Sequence, residues 1–138
     1  MKILDLANEI IFNKKLTANP GAERKNILVN PKLDSYDHLD EASRVLVKKT
    51  IAFFEVRGKA KLKEDDRDHT WYADYLDFVK QEQLFATFLT PAGCGDETSR
   101  WDTYRNSALN EIFSFYGLSH WYSWQVTILG LLPIWISD

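Results

Sequence analysis

The sequence predicts an all-α protein, a helix bundle of four to five helices. Three observations carry this. Apolar residues recur at a period near 3.6 along most of the chain, the spacing of an amphipathic helix. No interior segment alternates apolar and polar residues as a half-buried strand does. Gly and Pro cluster between the periodic segments, at Pro20-Gly21, Asn30-Pro31 and Pro91-Ala92-Gly93, where they mark turns and loops. A chain of 138 residues is a one-domain length. Such a domain hides roughly 70% of the surface its unfolded chain exposes. Residues 1–138 therefore read as one helical domain, with an N-terminal helix and loop over 1–36 and the bundle over 37–138.

The first helix is expected over residues 3–15. Ile3, Leu6 and Ile10 share a face there, with Ala7 and Ile11 beside them. Residues 17–36 read as loop, because Pro20 and Pro31 push the residue before each away from the α region. The run Ile27-Leu28-Val29 is too short to argue for a sheet. Asp37 is the expected N-cap of the next helix, with Asp40 and Glu41 in its first turn, where acids suit the macrodipole. Its apolar face reads Leu39, Ala42, Val45, Leu46, Ala52, Phe53 and Val56. Gly58 is its expected stop.

The stretch Lys59–Asp68 (KAKLKEDDRD) is almost wholly charged and reads as a solvated helix end and connector. As a metal loop, its acids Glu64 to Asp68 lack the glycine and the alternating ligands of an EF-hand. Asp68 is the expected cap of a third helix. That helix carries an aromatic stripe of Trp71, Tyr75, Phe78, Phe85 and Phe88, flanked by Tyr72, Leu76 and Val79. Pro91 ends it, and TPAGCGDET forms a turn. Ser99 to Asp102 has a capping-box pattern. It opens a fourth helix with Trp101, Tyr104, Ala108, Ile112 and Phe115 on one face. Gly117 breaks it from a fifth helix over Leu118–Trp135, weakened near Gly130 and Pro133.

The last third needs a burial partner. From Ile112 to Ser137 there is no Lys, Arg, Asp or Glu. Elsewhere the chemistry is sparse. A net charge of −3 and a pI near 5.6 make no case for nucleic acid. The single cysteine, Cys94, cannot form an internal disulfide, so a reducing, cytoplasmic setting is expected. Met1–Lys15 is not a secretory signal, since Asp5 and Glu9 interrupt it. His38, His69 and His120 lie far apart, without metal-ligand spacing. No phosphate-binding glycine loop is present. Cys94 sits between glycines, in a loop setting. Glu111, before the uncharged run, is a carboxylate that burial would raise.

From Phe85 onward four features occur in order. They are the apolar run and Pro-x-x-x-Gly of FATFLTPAGCG, the helix from Tyr104 to the pair Asn110-Glu111, the helix Trp121–Leu129, and the closing Leu129-Gly130-Leu131-Leu132-Pro133-Ile134. Together they resemble the N-terminal helical domain of acyl-CoA dehydrogenases. Asp96 stands where that family often has a second glycine. The resemblance covers about 50 residues and rests on order and spacing.

That resemblance implies an all-α domain that precedes a middle domain and a C-terminal helix bundle. The full enzyme would be FAD-dependent, dehydrogenating an acyl-CoA thioester at its α and β carbons in fatty acid metabolism. Its flavin-binding segments and catalytic carboxylate would lie beyond Asp138, so no catalytic or cofactor-binding residue is expected in this chain, and no metal ligand. The resemblance implies an acyl-pocket wall at Trp121, Gln125 and Leu129, which the i, i+4, i+8 spacing puts on one helix face. It also implies a homo-oligomer. Two other readings stay open: a non-catalytic helical interaction module, and a C-terminal membrane anchor formed by the uncharged run, which exceeds the ~20 residues a span needs. Against the anchor stand Ser114, Ser119, His120, Ser123, Gln125 and Thr127 within it.

Overall fold

A computed structural model of the chain describes residues 30–136. The helix expected over 3–15 and the run 27–29 lie outside the described residues. Among the described residues there are six α-helices, one short 3-10 turn at Pro31–Leu33, and no strand. The helices are α1 (Glu41–Arg57), α2 (Lys59–Arg67), α3 (Ala73–Gln81), α4 (Leu84–Leu89), α5 (Thr103–Tyr116) and α6 (Leu118–Ile136). The all-α expectation holds. The helix count rises for two reasons: an expected connector forms a helix, and one expected helix is split.

The charged connector is the first. Gly58 adopts φ 78°, a left-handed value that glycine reaches without strain, so the chain turns and starts α2 at once. Lys61 pairs with Glu64 at 2.9 Å and with Asp65 at 3.2 Å, the i,i+3 and i,i+4 contacts that support a charged helix. Leu62 and Asp65 are its buried residues. The second is the split of the aromatic helix at Gln83, which takes φ 52° between α3 and α4. Asp68 ends α2 and does not cap α3, whose N-cap is Tyr72 without a side-chain hydrogen bond. Trp71 stands 65% exposed, stacked on Tyr72 with centroids 4.6 Å apart. Tyr75, Val79, Leu84 and Phe88 supply the buried face.

Two caps also move. Asp40, and not Asp37, caps α1: its Oδ1 accepts from the Ser43 amide at 2.9 Å. Asp37 binds the Ser35 hydroxyl and Arg44 instead. Asp102, and not Ser99, caps α5, accepting from the Arg105 amide at 3.0 Å. Ser99 is buried in a turn whose amides and hydroxyls, from Thr98 and Ser99, all donate to Asp96.

The inward stripe of α1 is Ser43, Val47, Thr50 and Phe54, while Val45 and Val56 face outward. Two hydroxyl residues hold inward positions because each is satisfied locally. Ser43 donates to Asp40 and Thr50 to the Leu46 carbonyl, at 2.7 and 2.8 Å. Buried hydroxyls with a partner cost little, and the apparent apolar face rotates accordingly.

The α5 helix packs against both α1 and α6. Its buried face is Arg105, Asn106, Ala108, Leu109, Ile112, Phe113 and Tyr116. The polar members tie it down. Asn106 donates to the Phe88 carbonyl at 3.0 Å, and Arg105 donates to the Arg100 carbonyl at 2.9 Å with its guanidinium 4.6 Å from the Phe88 ring centre. Tyr104, expected on the core face, is exposed. Gly117 ends α5 as expected. The next helix, α6, then runs without interruption through Pro133. Proline there removes one backbone donor from the ladder.

Candidate functional site

The most functional-looking concavity lies where α2 ends and α6 begins. Arg57, in the last turn of α1, starts it. Its Nη2 reaches Asp65 at 2.8 Å and its Nη1 contacts Asp74, so one cation joins α1, α2 and α3. Asp65 is held below the usual carboxylate range chiefly by the Arg57 hydrogen bond. Asp66, next in α2, accepts from the Ser119 hydroxyl at 2.8 Å and ties α2 to the first turn of α6. Between these contacts is a cavity of about 330 Å³. Arg57, Asp65, Asp66, His69, Trp71 and His120 are among its lining residues. His69 and His120, distant in sequence, thus come to one cavity. His38 does not line it.

His120 forms the inner wall and is 8% exposed. Its ring stands edge-on to Tyr75 and Phe54, at 4.8 and 5.2 Å between centroids. Neither ring nitrogen has a hydrogen-bond partner among the described residues, and both are shut off from solvent. Gly117 makes room: a Cβ there would stand 3.0 Å from the His120 Nδ1. Burial pushes the imidazole down to about 4, and the Arg57 cation adds to that, against a smaller pull from Asp66 and Asp65. At neutral pH His120 is therefore an uncharged ring packed as part of the core. Arg57 is paired with Asp65 and Asp74, and Asp66 with the Ser119 hydroxyl, so these contacts join four helices around the ring.

Among the described residues no group of three or more His, Cys, Asp or Glu is placed to hold a metal ion. Cys94 is free and exposed in its turn. Glu111 is exposed.

The residues of the expected acyl wall lie elsewhere, along α6. Trp121 and Gln125 are half-buried and Leu129 is 59% exposed. Trp121 lines a shallow, open depression with Tyr72, Leu118, Ser119 and Tyr122. Gln125 and Leu129 lie outside both that depression and the His120 cavity. The three share a helix face, as the spacing requires, but they are not gathered into one pocket among the described residues.

Trp121 packs against the core, while Leu129 belongs to an uncharged outer stripe. Leu118, Tyr122, Val126, Leu129 and Leu132 are exposed along α6, three or four residues apart, so they form one ridge. The inner side of the same helix buries His120, Trp124 and Ile128. No helix among the described residues is long and apolar enough to cross a membrane, so α6 does not meet the requirement for the membrane anchor that the uncharged run suggested. The 3.6 period of Leu118, Tyr122, Val126 and Leu129 is the sequence signal for this outer ridge.

No protein-family model matches this chain, and no curated protein or solved structure matches it significantly.

Proposed function

We propose that this chain is a helical binding module whose working surface is the outer face of α6. One observation carries the reading: a 19-residue helix presents a continuous uncharged apolar ridge to solvent while its other side is anchored in the core. Contiguous exposed apolar surface of this kind marks interaction sites in soluble proteins. At the His120 cavity, Arg57 with Asp65 and Asp74, and Asp66 with Ser119, hold α1, α2, α3 and α6 together, which supports a scaffolding role for that end of the molecule.

The test replaces Leu118, Tyr122 and Leu129 together by serine. A docking face leaves helicity intact and the thermal midpoint, measured at low protein concentration, within a few degrees. A fall beyond about 10 °C, equivalent to several kcal/mol for a domain of this size, would mean that the ridge is used inside the chain, and the reading would fail.

A second reading is carried by the end of that ridge. Leu129 and Leu132 are exposed in the segment that resembles the closing Leu-Gly-x-x-Pro-Ile of acyl-CoA dehydrogenases. In that reading the face is covered by following domains that hold FAD, and Trp121, Gln125 and Leu129 face the acyl chain of an acyl-CoA. A full-length gene product that carries FAD and oxidises acyl-CoA supports it, with Trp121→Ala extending the range of chain lengths used. A stop codon directly after Asp138, or an unchanged chain-length profile in the variant, counts against it.

A further inference from the structure

The α6 ridge is complementary to itself, and we infer that its partner is a second copy of this chain, docked through antiparallel α6 helices across a twofold axis near Gln125. This rests on the binding-module reading and names its partner.

Four observations converge. The first is charge. The ridge has no Lys, Arg, Asp or Glu from Leu118 to Ile136, so nothing on it repels its own image or selects an oppositely charged partner. The second is the centre of the ridge. Gln125 lies between Tyr122 and Leu129 along the helix and between Leu118 and Leu132 around it, and its side-chain amide has no hydrogen-bond partner among the described residues. An amide carries both donors and an acceptor, so it is satisfied by an identical amide facing it across a twofold. A lone polar residue at the middle of an apolar helix seam fixes register and orientation in the same way in coiled coils.

The third is shape. One end of the ridge is a hollow, lined by Tyr72, Leu118, Ser119, Trp121 and Tyr122. The other end is a pair of knobs, Leu129 and Leu132. With two α6 helices antiparallel about Gln125, Tyr122 of one copy lies opposite the partner's Leu129. Each hollow then receives a knob, twice over, as an isologous interface requires. The fourth is area. Trp71, stacked on Tyr72 of the hollow, extends the patch. Scaled by whole side-chain areas, the exposed parts of Trp71, Leu118, Tyr122, Val126, Leu129 and Leu132 amount to roughly 600 Å², the top of the range for an ordinary monomer. Two copies would bury roughly 1,200 Å², which reaches the size of a specific, stable interface.

The experiment is a charge swap at the axis, using the full 138-residue chain. Sedimentation equilibrium over a concentration series should give a dimer for the unaltered chain. Gln125→Glu and Gln125→Lys, each alone, should dissociate it by about tenfold or more, because like charges then face each other. An equimolar mixture of the two variants should associate again. Restoration by mixing requires that position 125 of one copy meets position 125 of the other. Circular dichroism on each variant checks that the fold survives. If the single variants stay dimeric, or the mixture stays monomeric, the twofold docking is wrong.

A second measurement separates that failure from failure of the module reading. Leu129→Cys in a Cys94→Ser background is reacted with a thiol reagent. A monomer with a reactive Cys at 129 overturns the dimer and leaves the ridge free for another partner. A monomer with a protected Cys overturns both. A dimer with a protected Cys, exposed when Gln125→Glu is added, is the expected result.

Discussion

The two faces of α6 come from one sequence run of the same composition, yet they do opposite things. Trp124 is fully buried, with Phe85 stacked on it at 5.2 Å and Phe113 beside it at 5.3 Å. Tyr122, two residues earlier, is 64% exposed. The inner face is held by rings from α3, α4 and α5, and the outer face by nothing described. Hydrophobicity alone therefore does not distinguish core from surface in this helix. The angular position around the axis does, and so does whether a neighbouring helix stands opposite.

Three measurements sharpen that contrast. The largest effect is expected at Trp124→Ala. The ring fills a fully enclosed site, so its loss should cost about 3–5 kcal/mol, read as a drop in the denaturant midpoint. An unfolded variant would agree with this; a loss below ~1 kcal/mol would show that the inner face is loosely packed.

The second is pH dependence at His120, also on the inner face. Its folded value is about 4, against an ordinary 6.5. The fold thus favours the neutral ring. Its stabilising contribution is present in full above pH 6.5 and is lost as pH falls through 6.5 towards 4, where the unfolded chain binds the proton and the folded chain does not. Screening at the cavity mouth reduces the effect, leaving roughly 2 kcal/mol over that window. Unfolding free energy measured from pH 7 to pH 4 should slope accordingly, and His120→Phe should flatten the slope. An equal slope in both proteins would assign the acid sensitivity to other groups.

The smallest effect is expected at Leu129→Ser. A solvent-facing side chain without partners changes stability by no more than about 0.5 kcal/mol, measured at low concentration. A loss of several kcal/mol would move Leu129 into the core and erase the distinction between the faces.

Much of the fold was legible in the residues. The all-α class, the stop at Gly58, the end of α4 before Pro91, the break at Gly117 and the course of α6 all follow from helical periodicity and from glycine and proline. Two local effects account for the differences. Caps compete locally: Asp37 and Asp40 are both capable, and the geometry that let Asp40 reach the Ser43 amide decided between them. Likewise Asp102 won over Ser99, whose hydroxyl and amide were taken by Asp96. In α1, Ser43 and Thr50 carry no apolar signal, so the period pointed to Val45 and Val56 instead. The candidate sites were less legible. His120 is visible in the sequence only as an isolated histidine, because Arg57, Asp65 and Asp66 approach its cavity from two helices that are near α6 only in the fold.

By itself the sequence determined that the chain is helical, where most helices stop, and that its last helix is uncharged. These are local matters, set by φ and ψ preferences and by the side-chain period. Only the tertiary structure decided which side of α6 is core, which acids pair with Arg57, and that His120 stays neutral. Each of those depends on groups far apart in the chain that pack together, and on the burial that only their packing creates.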